Sequence, residues 1–125
     1  MGKKHSPLFL RRVEHSRSII NECTIDEFIL MMNDNESLFI IDVRETHEFE
    51  LGHMKGAIHI GKGVLERDIE KHPFGTSDRI LLYCGGGFRS AIAAQSMKEM
   101  GYENVYSLWG GWRAILGTDI RKSNL

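Results

Sequence analysis

The chain reads as a single α/β domain, a mainly parallel sheet with helices on both faces. Short continuous apolar runs, Leu38-Phe39-Ile40-Ile41 and Ile80-Leu81-Leu82-Tyr83, suit strands covered on both sides, as parallel strands are. Segments of helical periodicity alternate with these runs, the order expected of a sheet built by crossovers. Right-handed crossovers then spread the helices over the two faces. A length of 125 residues fits one domain with one sizeable core.

Residues 1–18 are basic: Lys3, Lys4, Arg11, Arg12 and Arg17 stand against Glu14 alone. They are expected to form a solvated, partly ordered extension; a partner-docking arm, a targeting segment or a contact with anionic lipid are the sharper readings. Met1-Gly2-Lys3-Lys4-His5-Ser6 loosely fits an N-myristoylation pattern. Thr24-Ile25-Asp26-Glu27 is a capping box, so a helix starts near Ile25 and carries Ile25, Phe28, Ile29 and Met32 on one face. Asn33-Asp34-Asn35 ends it. The strand at 38–41 follows, running out at Asp42-Val43-Arg44. Residues 45–51 form a short helical turn closed by Gly52, and Ala57-Ile58-His59-Ile60 is a brief strand. Residues 64–71 suit a helix with Val64, Leu65 and Ile69 inward, before Pro73 and Gly75 break the chain. The strand at 80–83 leads through a glycine loop into a helix ending at Met100, with Ala93, Met97 and Met100 inward and Gly101 at the C′ position. Val105-Tyr106-Ser107-Leu108 is a further strand, and Gly110-Gly111 turns into a short helix over 112–116. Residues 117–125 read as a loose tail.

The chemistry gathers at Tyr83-Cys84-Gly85-Gly86-Gly87-Phe88-Arg89-Ser90. A cysteine sits where a strand ends and a helix begins. Three consecutive glycines let the backbone curl around its sulfur, and an arginine closes the curl. Such a loop aims N–H groups at an anion, and the helix N-terminus adds positive potential. The helix dipole and Arg89 both favour a thiolate, the nucleophilic form of cysteine. A buried strand-end cysteine acting as a small hydrophobe is the plain alternative; a simple strand-to-helix connection, however, does not need three glycines. Ligand sites in parallel sheets lie beyond the carboxyl ends of the strands. Asp42-Val43-Arg44 and Cys84 arrive there independently.

Composition narrows the class. Apolar content is 42% and charged content 26%, the balance of an ordinary globular protein. The net charge of −1 gives no reason to expect nucleic acid. Two cysteines, Cys23 and Cys84, are too few for a disulfide framework, so a reducing compartment, the cytoplasm, is expected. No apolar run approaches a membrane span, and Pro7-Leu8-Phe9-Leu10 is too short for a signal-peptide core. His5, His15, His47, His59 and His72 show no metal-ligand spacing with cysteine.

Four ordered motifs closely resemble the rhodanese-like sulfurtransferases. They are Asp42-Val43-Arg44; Glu48-Phe49-Glu50-Leu51-Gly52-His53-Met54-Lys55-Gly56-Ala57-Ile58-His59-Ile60; Tyr83-Cys84-Gly85-Gly86-Gly87-Phe88-Arg89-Ser90-Ala91; and Gly101-Tyr102-Glu103-Asn104-Val105 with Leu108-Trp109-Gly110-Gly111-Trp112. The resemblance implies one rhodanese-like domain over 19–116 around a mainly parallel five-stranded sheet, after the 1–18 extension and before the 117–125 tail. It implies that Cys84 attacks the outer sulfur of thiosulfate or a persulfide, holds it as a persulfide, and yields it to a thiol, a protein acceptor or cyanide. Gly85, Gly86, Gly87, Phe88 and Arg89 would form the anion loop, with Asp42 and Arg44 in support. Neither metal nor organic cofactor is required, and kinetics should be ping-pong. Met54-Lys55 departs from the isoleucine-proline usual there, and the loop carries one cation, which puts a strong preference for doubly charged thiosulfate in doubt. A sulfur-relay carrier or a regulatory binding module is the alternative. A cysteine phosphatase or arsenate reductase is disfavoured, since their loop holds five residues between cysteine and arginine and only Gly85 to Phe88 intervene here. Asp42 and Arg44 are expected as a salt-bridge scaffold with Glu48, His53 as a structural hydrogen-bonding residue, Cys23 as a buried thiol, and Trp109 and Trp112 as core packing.

Overall fold

The computed structural model describes residues 4–124. Lys3 and the start of the Met1-Gly2 acylation pattern lie outside them. Helix α1 (Pro7–Arg17) opens with proline, whose missing N–H is not needed in a first turn. Strand β1 (Asn21–Cys23) leads to α2 (Ile25–Asn33), where Thr24 and Glu27 close the capping box: Glu27 N donates to Thr24 Oγ1 at 3.2 Å and Thr24 N to Glu27 Oε1 at 2.8 Å. Strand β2 (Phe39–Asp42), helix α3 (Thr46–Leu51), strand β3 (His53–Met54) and strand β4 (Ile58–His59) follow. Helix α4 (Leu65–Asp68) is one turn between 3₁₀ turns; Leu65 and Ile69 are buried as expected, while Val64 faces outward. Strand β5 (Ile80–Tyr83) enters the glycine loop, and α5 (Arg89–Glu99) leaves it. Strand β6 (Val105–Leu108), helix α6 (Gly111–Leu116) and strand β7 (Lys122–Ser123) complete the chain.

Five parallel strands form the main sheet in the order β1-β6-β5-β2-β4, so β5 is central. The register aligns Asp42 with Tyr83, which brings the ends of β2 and β5 side by side. Alternation along β5 sorts the core. Ile80, Leu82 and Cys84 point to the face covered by Ala93, Ala94 and Met97 of α5 and by Leu65 and Ile69. Leu81 and Tyr83 point to the other, against Phe28 of α2 and Ile115 of α6.

Two terminal segments differ from expectation. The basic segment is not a solvated extension. It folds as α1 and docks on α5, with Val13 and Ser16 fully buried. Ser16 Oγ donates to Gln95 Oε1 at 2.7 Å, and Arg12 Nη1 donates to both, at 2.6 and 2.9 Å. A stripe this narrow is hidden by the surrounding charge. The tail is not loose either. β7 pairs antiparallel with β3, Lys55 N donates to Arg121 O at 2.8 Å, and Ile120 packs on the core. A strand of two residues leaves too short a pattern to read.

Candidate active site

Cys84 stands at the end of β5, 1% exposed, on the floor of a cavity of about 830 Å³. Its Sγ accepts the N–H of Gly87 at 3.2 Å and that of Ser90 at 3.3 Å. The N–H groups of Gly86, Phe88 and Arg89 meet no acceptor among the described residues. Curled backbone and the first turn of α5 thus present several donors to one small region, the arrangement that favours an anion.

Sequence fixes this curl from both sides. Gly87 has φ +96°, and a Cβ there would lie 3.0 Å from Gly110 N and 3.1 Å from Leu108 O. Gly111 has φ +51°, and a Cβ there would run into the Cys84 carbonyl. The absence of side chains lets the β6–α6 turn press against the loop. Trp112 N then donates to Cys84 O at 2.7 Å and Arg113 N to Gly85 O at 3.1 Å. The first turn of α6 ties these carbonyls back and keeps them off the sulfur.

Arg89 opens α5 at the end of the loop, and its charge is committed. Nη1 donates to Glu48 Oε2 at 2.7 Å and Nη2 to Glu48 Oε1 at 3.0 Å. A Cβ on Gly85 would lie 3.1 Å from Nη2, so the guanidinium passes over the loop. These hydrogen bonds raise the Arg89 pKa against the opposing effect of burial, with the Cys84 charge a smaller contributor. They hold the Glu48 carboxyl down at about 2, against burial, with the Glu45 N–H helping.

Asp42 and Arg44 pair with each other and not with Glu48, a correction to the expected scaffold. Arg44 Nη2 donates to Asp42 Oδ2 at 2.8 Å and to Gly52 O at 2.7 Å, and Arg44 N to Asp42 Oδ1 at 2.9 Å. Both side chains are buried. The turn after β2 folds Arg44 back onto its own acidic neighbour, which leaves Glu48, on α3, to Arg89. The Arg44 guanidinium lies 4.8 Å from the Trp112 ring and lines the cavity wall.

The remaining candidates sort cleanly. His53 Nδ1 donates to Phe49 O at 2.8 Å and its ring stacks on Phe49, a structural placement. Cys23 is buried and its thiol is pushed up to about 12 by burial, with Glu27 and Glu22 adding to it. It ends β1, two strands from β5, and faces the opposite side of the sheet from Cys84. Two strand spacings, roughly 10 Å, exceed disulfide reach. Trp112 packs on the core as expected; Trp109 does not, being 53% exposed beneath Arg17, 4.4 Å from its ring. Sequence reasoning gave no role to Ser90 and Ser107. Sγ lies 3.4 Å from Ser90 Oγ, which lies 2.8 Å from Ser107 Oγ, a buried hydroxyl chain leading from the sulfur to β6. The lone serine in Val105-Tyr106-Ser107-Leu108 was its signal. It also missed His5 and Phe9, which bring α1 to the cavity and meet Phe88, at centroid distances of 4.4 and 6.3 Å.

Comparison with known proteins agrees with this architecture. The rhodanese-like domain family model matches residues 24–118. The Bacillus subtilis protein YrkF, named as a sulfur carrier, is 37% identical over an alignment of 113 residues that covers 87% of this chain and 60% of YrkF. The chain therefore spans about three fifths of that relative. The structure of RPA3614 from Rhodopseudomonas palustris, described as of unknown function and a possible tyrosine phosphatase, superposes with a TM-score of 0.75. It covers 97% of this chain and 99% of its own at 24% identity, a likeness of fold alone. A rhodanese from E. coli solved with anions gives a TM-score of 0.63 at 27% identity, covering 71% of this chain and all of its own. With a family match that takes in every strand of the main sheet but β1, the chain belongs to the rhodanese-like domain family.

Proposed function

We propose that the chain is a sulfurtransferase that moves a sulfane sulfur from thiosulfate or a persulfide to a thiol or cyanide acceptor through a persulfide on Cys84. The observation that carries the reading is the seat of the sulfur. A cysteine at the end of the central strand accepts two backbone N–H bonds at a helix N-terminus and opens into a cavity. The Cys84 thiolate attacks the outer donor sulfur; the Sγ–S bond forms as the donor S–S bond breaks, and sulfite or a thiol leaves. The new terminal sulfur is anionic, and the loop N–H groups of residues 85–89 stabilise it. The acceptor thiolate or cyanide then attacks that sulfur and restores Cys84. The thiolate lone pair makes the new bond and the donor S–S pair departs with sulfite or the thiol, so no electron passes to an external acceptor and the cycle needs no metal or cofactor. Asp42 and Arg44 hold the cavity wall. Cys84 must stand as a free thiol or thiolate at the start of each turnover, which suits a cytoplasmic, reducing setting; both cysteines are free thiols here.

A relay to a protein acceptor is the second reading, favoured by the relative named as a sulfur carrier. Phosphoryl chemistry is disfavoured. The loop is one residue short for a tetrahedral cradle, and its arginine is held by Glu48. Steady-state kinetics test the reading. Parallel double-reciprocal lines for donor and acceptor are expected, with no turnover in Cys84→Ser and an unchanged fold by circular dichroism. Turnover retained by Cys84→Ser contradicts it.

A further inference from the structure

We propose that Glu48 sets the donor class of this site: by engaging Arg89 through both carboxylate oxygens it leaves the loop no free cation, so the site takes sulfur from an organic hydropersulfide in preference to the thiosulfate dianion. The inference rests on the sulfurtransferase reading. Its observation is the two-pronged pair, at 2.7 and 3.0 Å, between side chains one quarter to one third exposed. Glu45 N also donates to Glu48 Oε2 at 2.9 Å, which fixes the carboxylate in place. Charge-assisted, bidentate pairs of this kind are the strong ones.

The other cation deep in the cavity is spoken for as well. Arg44 is bound to Asp42 and to Gly52 O. Arg113 at the rim is exposed and has no acidic partner among the described residues. Positive charge is therefore quenched beside the sulfur and free at the mouth.

The two donor classes feel this differently. Thiosulfate brings two negative charges to a thiolate. Sγ attacks its outer sulfur and sulfite leaves, so three negative charges stand together from start to finish. A hydropersulfide R–S–S–H presents a neutral end. Sγ attacks the terminal sulfur, the S–S bond breaks, RS⁻ leaves, and the proton on the terminal sulfur passes to it, giving R–S–H and an anionic Cys84 persulfide. One negative charge is present throughout. A loop whose arginine is neutralised penalises the first reaction and not the second.

Shape points the same way. A cavity of about 830 Å³ is in the size range of sites for organic ligands and exceeds what a small inorganic anion fills. Phe9, Phe88, Trp112 and Leu116 give it apolar walls for a carbon skeleton, and Arg113 can receive a carboxylate carried on that skeleton.

The experiment compares kcat/KM for cysteine hydropersulfide and thiosulfate, with cyanide as acceptor, in wild type, Glu48→Gln and the double variant Glu48→Gln with Arg89→Gln. Wild type should favour the hydropersulfide by at least about 100-fold. Glu48→Gln frees the guanidinium and should raise thiosulfate kcat/KM relative to hydropersulfide by about tenfold, with a steeper loss on adding salt. The double variant should return the ratio toward the wild-type value. A wild type that uses both donors equally, or a ratio unmoved in a folded Glu48→Gln, overturns the inference and leaves the sulfurtransferase reading standing. Failure of both donors to load sulfur on wild-type Cys84 overturns both. The wild-type ratio needs no variant, so misfolding of Glu48→Gln does not shelter the inference.

Discussion

Gly87 carries a double constraint in the candidate site. It combines a left-handed φ of +96° with backbone atoms of Leu108 and Gly110 where a Cβ would go. Its N–H is one of two that reach Cys84 Sγ. Gly87→Ala is expected to cost about 1–3 kcal/mol through the disfavoured φ and the displaced turn. Sulfur transfer should fall at least about tenfold as that donor moves off the sulfur. Denaturant titration and turnover with either donor check the two effects; wild-type values for both would remove Gly87 from the account. At this scale the sequence was legible where residue type is unusual. Three glycines after a cysteine announce a curled loop. Partner choice was harder: which acid Arg44 and Arg89 would each take depends on the turns after β2 and β5, and spacing along the chain does not contain that.

Among the elements, α1 does most to change the reading. It lies outside the matched residues 24–118, yet it buries Val13 and Ser16 against α5, and its Phe9, with His5 just before the helix, lines the cavity. Val13→Ala is expected to destabilise by about 2 kcal/mol, since a fully buried valine contributes roughly that much. The thermal midpoint should drop by about 5–10 °C. A melting curve that matches wild type would show that α1 is a passenger on the domain. The strands β2, β5 and β6 were readable because each is a run of apolar residues bounded by turn residues. β1, β3 and β7 have two or three residues each and take their conformation from a neighbouring strand edge. Such elements are set by tertiary pairing, and local pattern carries little of it.

Over the whole molecule, the Glu48–Arg89 pair joins α3 to the start of α5 and so ties the loop to the opposite wall of the cavity. Its pH dependence follows from the carboxyl. Arg89 and the Glu45 N–H, against burial, lower the folded value to about 2 from an ordinary 4.5. The unfolded chain thus binds the proton first on acidification. The contribution is complete above pH 4.5 and is lost as pH falls through about 2. Denaturation midpoints measured across that interval should fall for wild type and fall less steeply for Glu48→Gln. Equal slopes would mean that the pair adds nothing to stability. The α/β architecture and the place of Cys84 were legible from alternation and from one loop, because parallel sheets put their ligand sites at strand ends. The docking of α1 and of the β7 segment was not, since it is written in a few side chains scattered among charged ones.

The central claim is that Cys84 carries sulfur as a covalent persulfide. Intact-mass measurement after brief incubation with cysteine hydropersulfide, followed by removal of excess donor, tests it most directly. The account expects wild type to gain one sulfur atom, located on the peptide containing Cys84 and discharged by cyanide, and Cys84→Ser to gain none. An unchanged mass in wild type, or the same gain in Cys84→Ser, would contradict it.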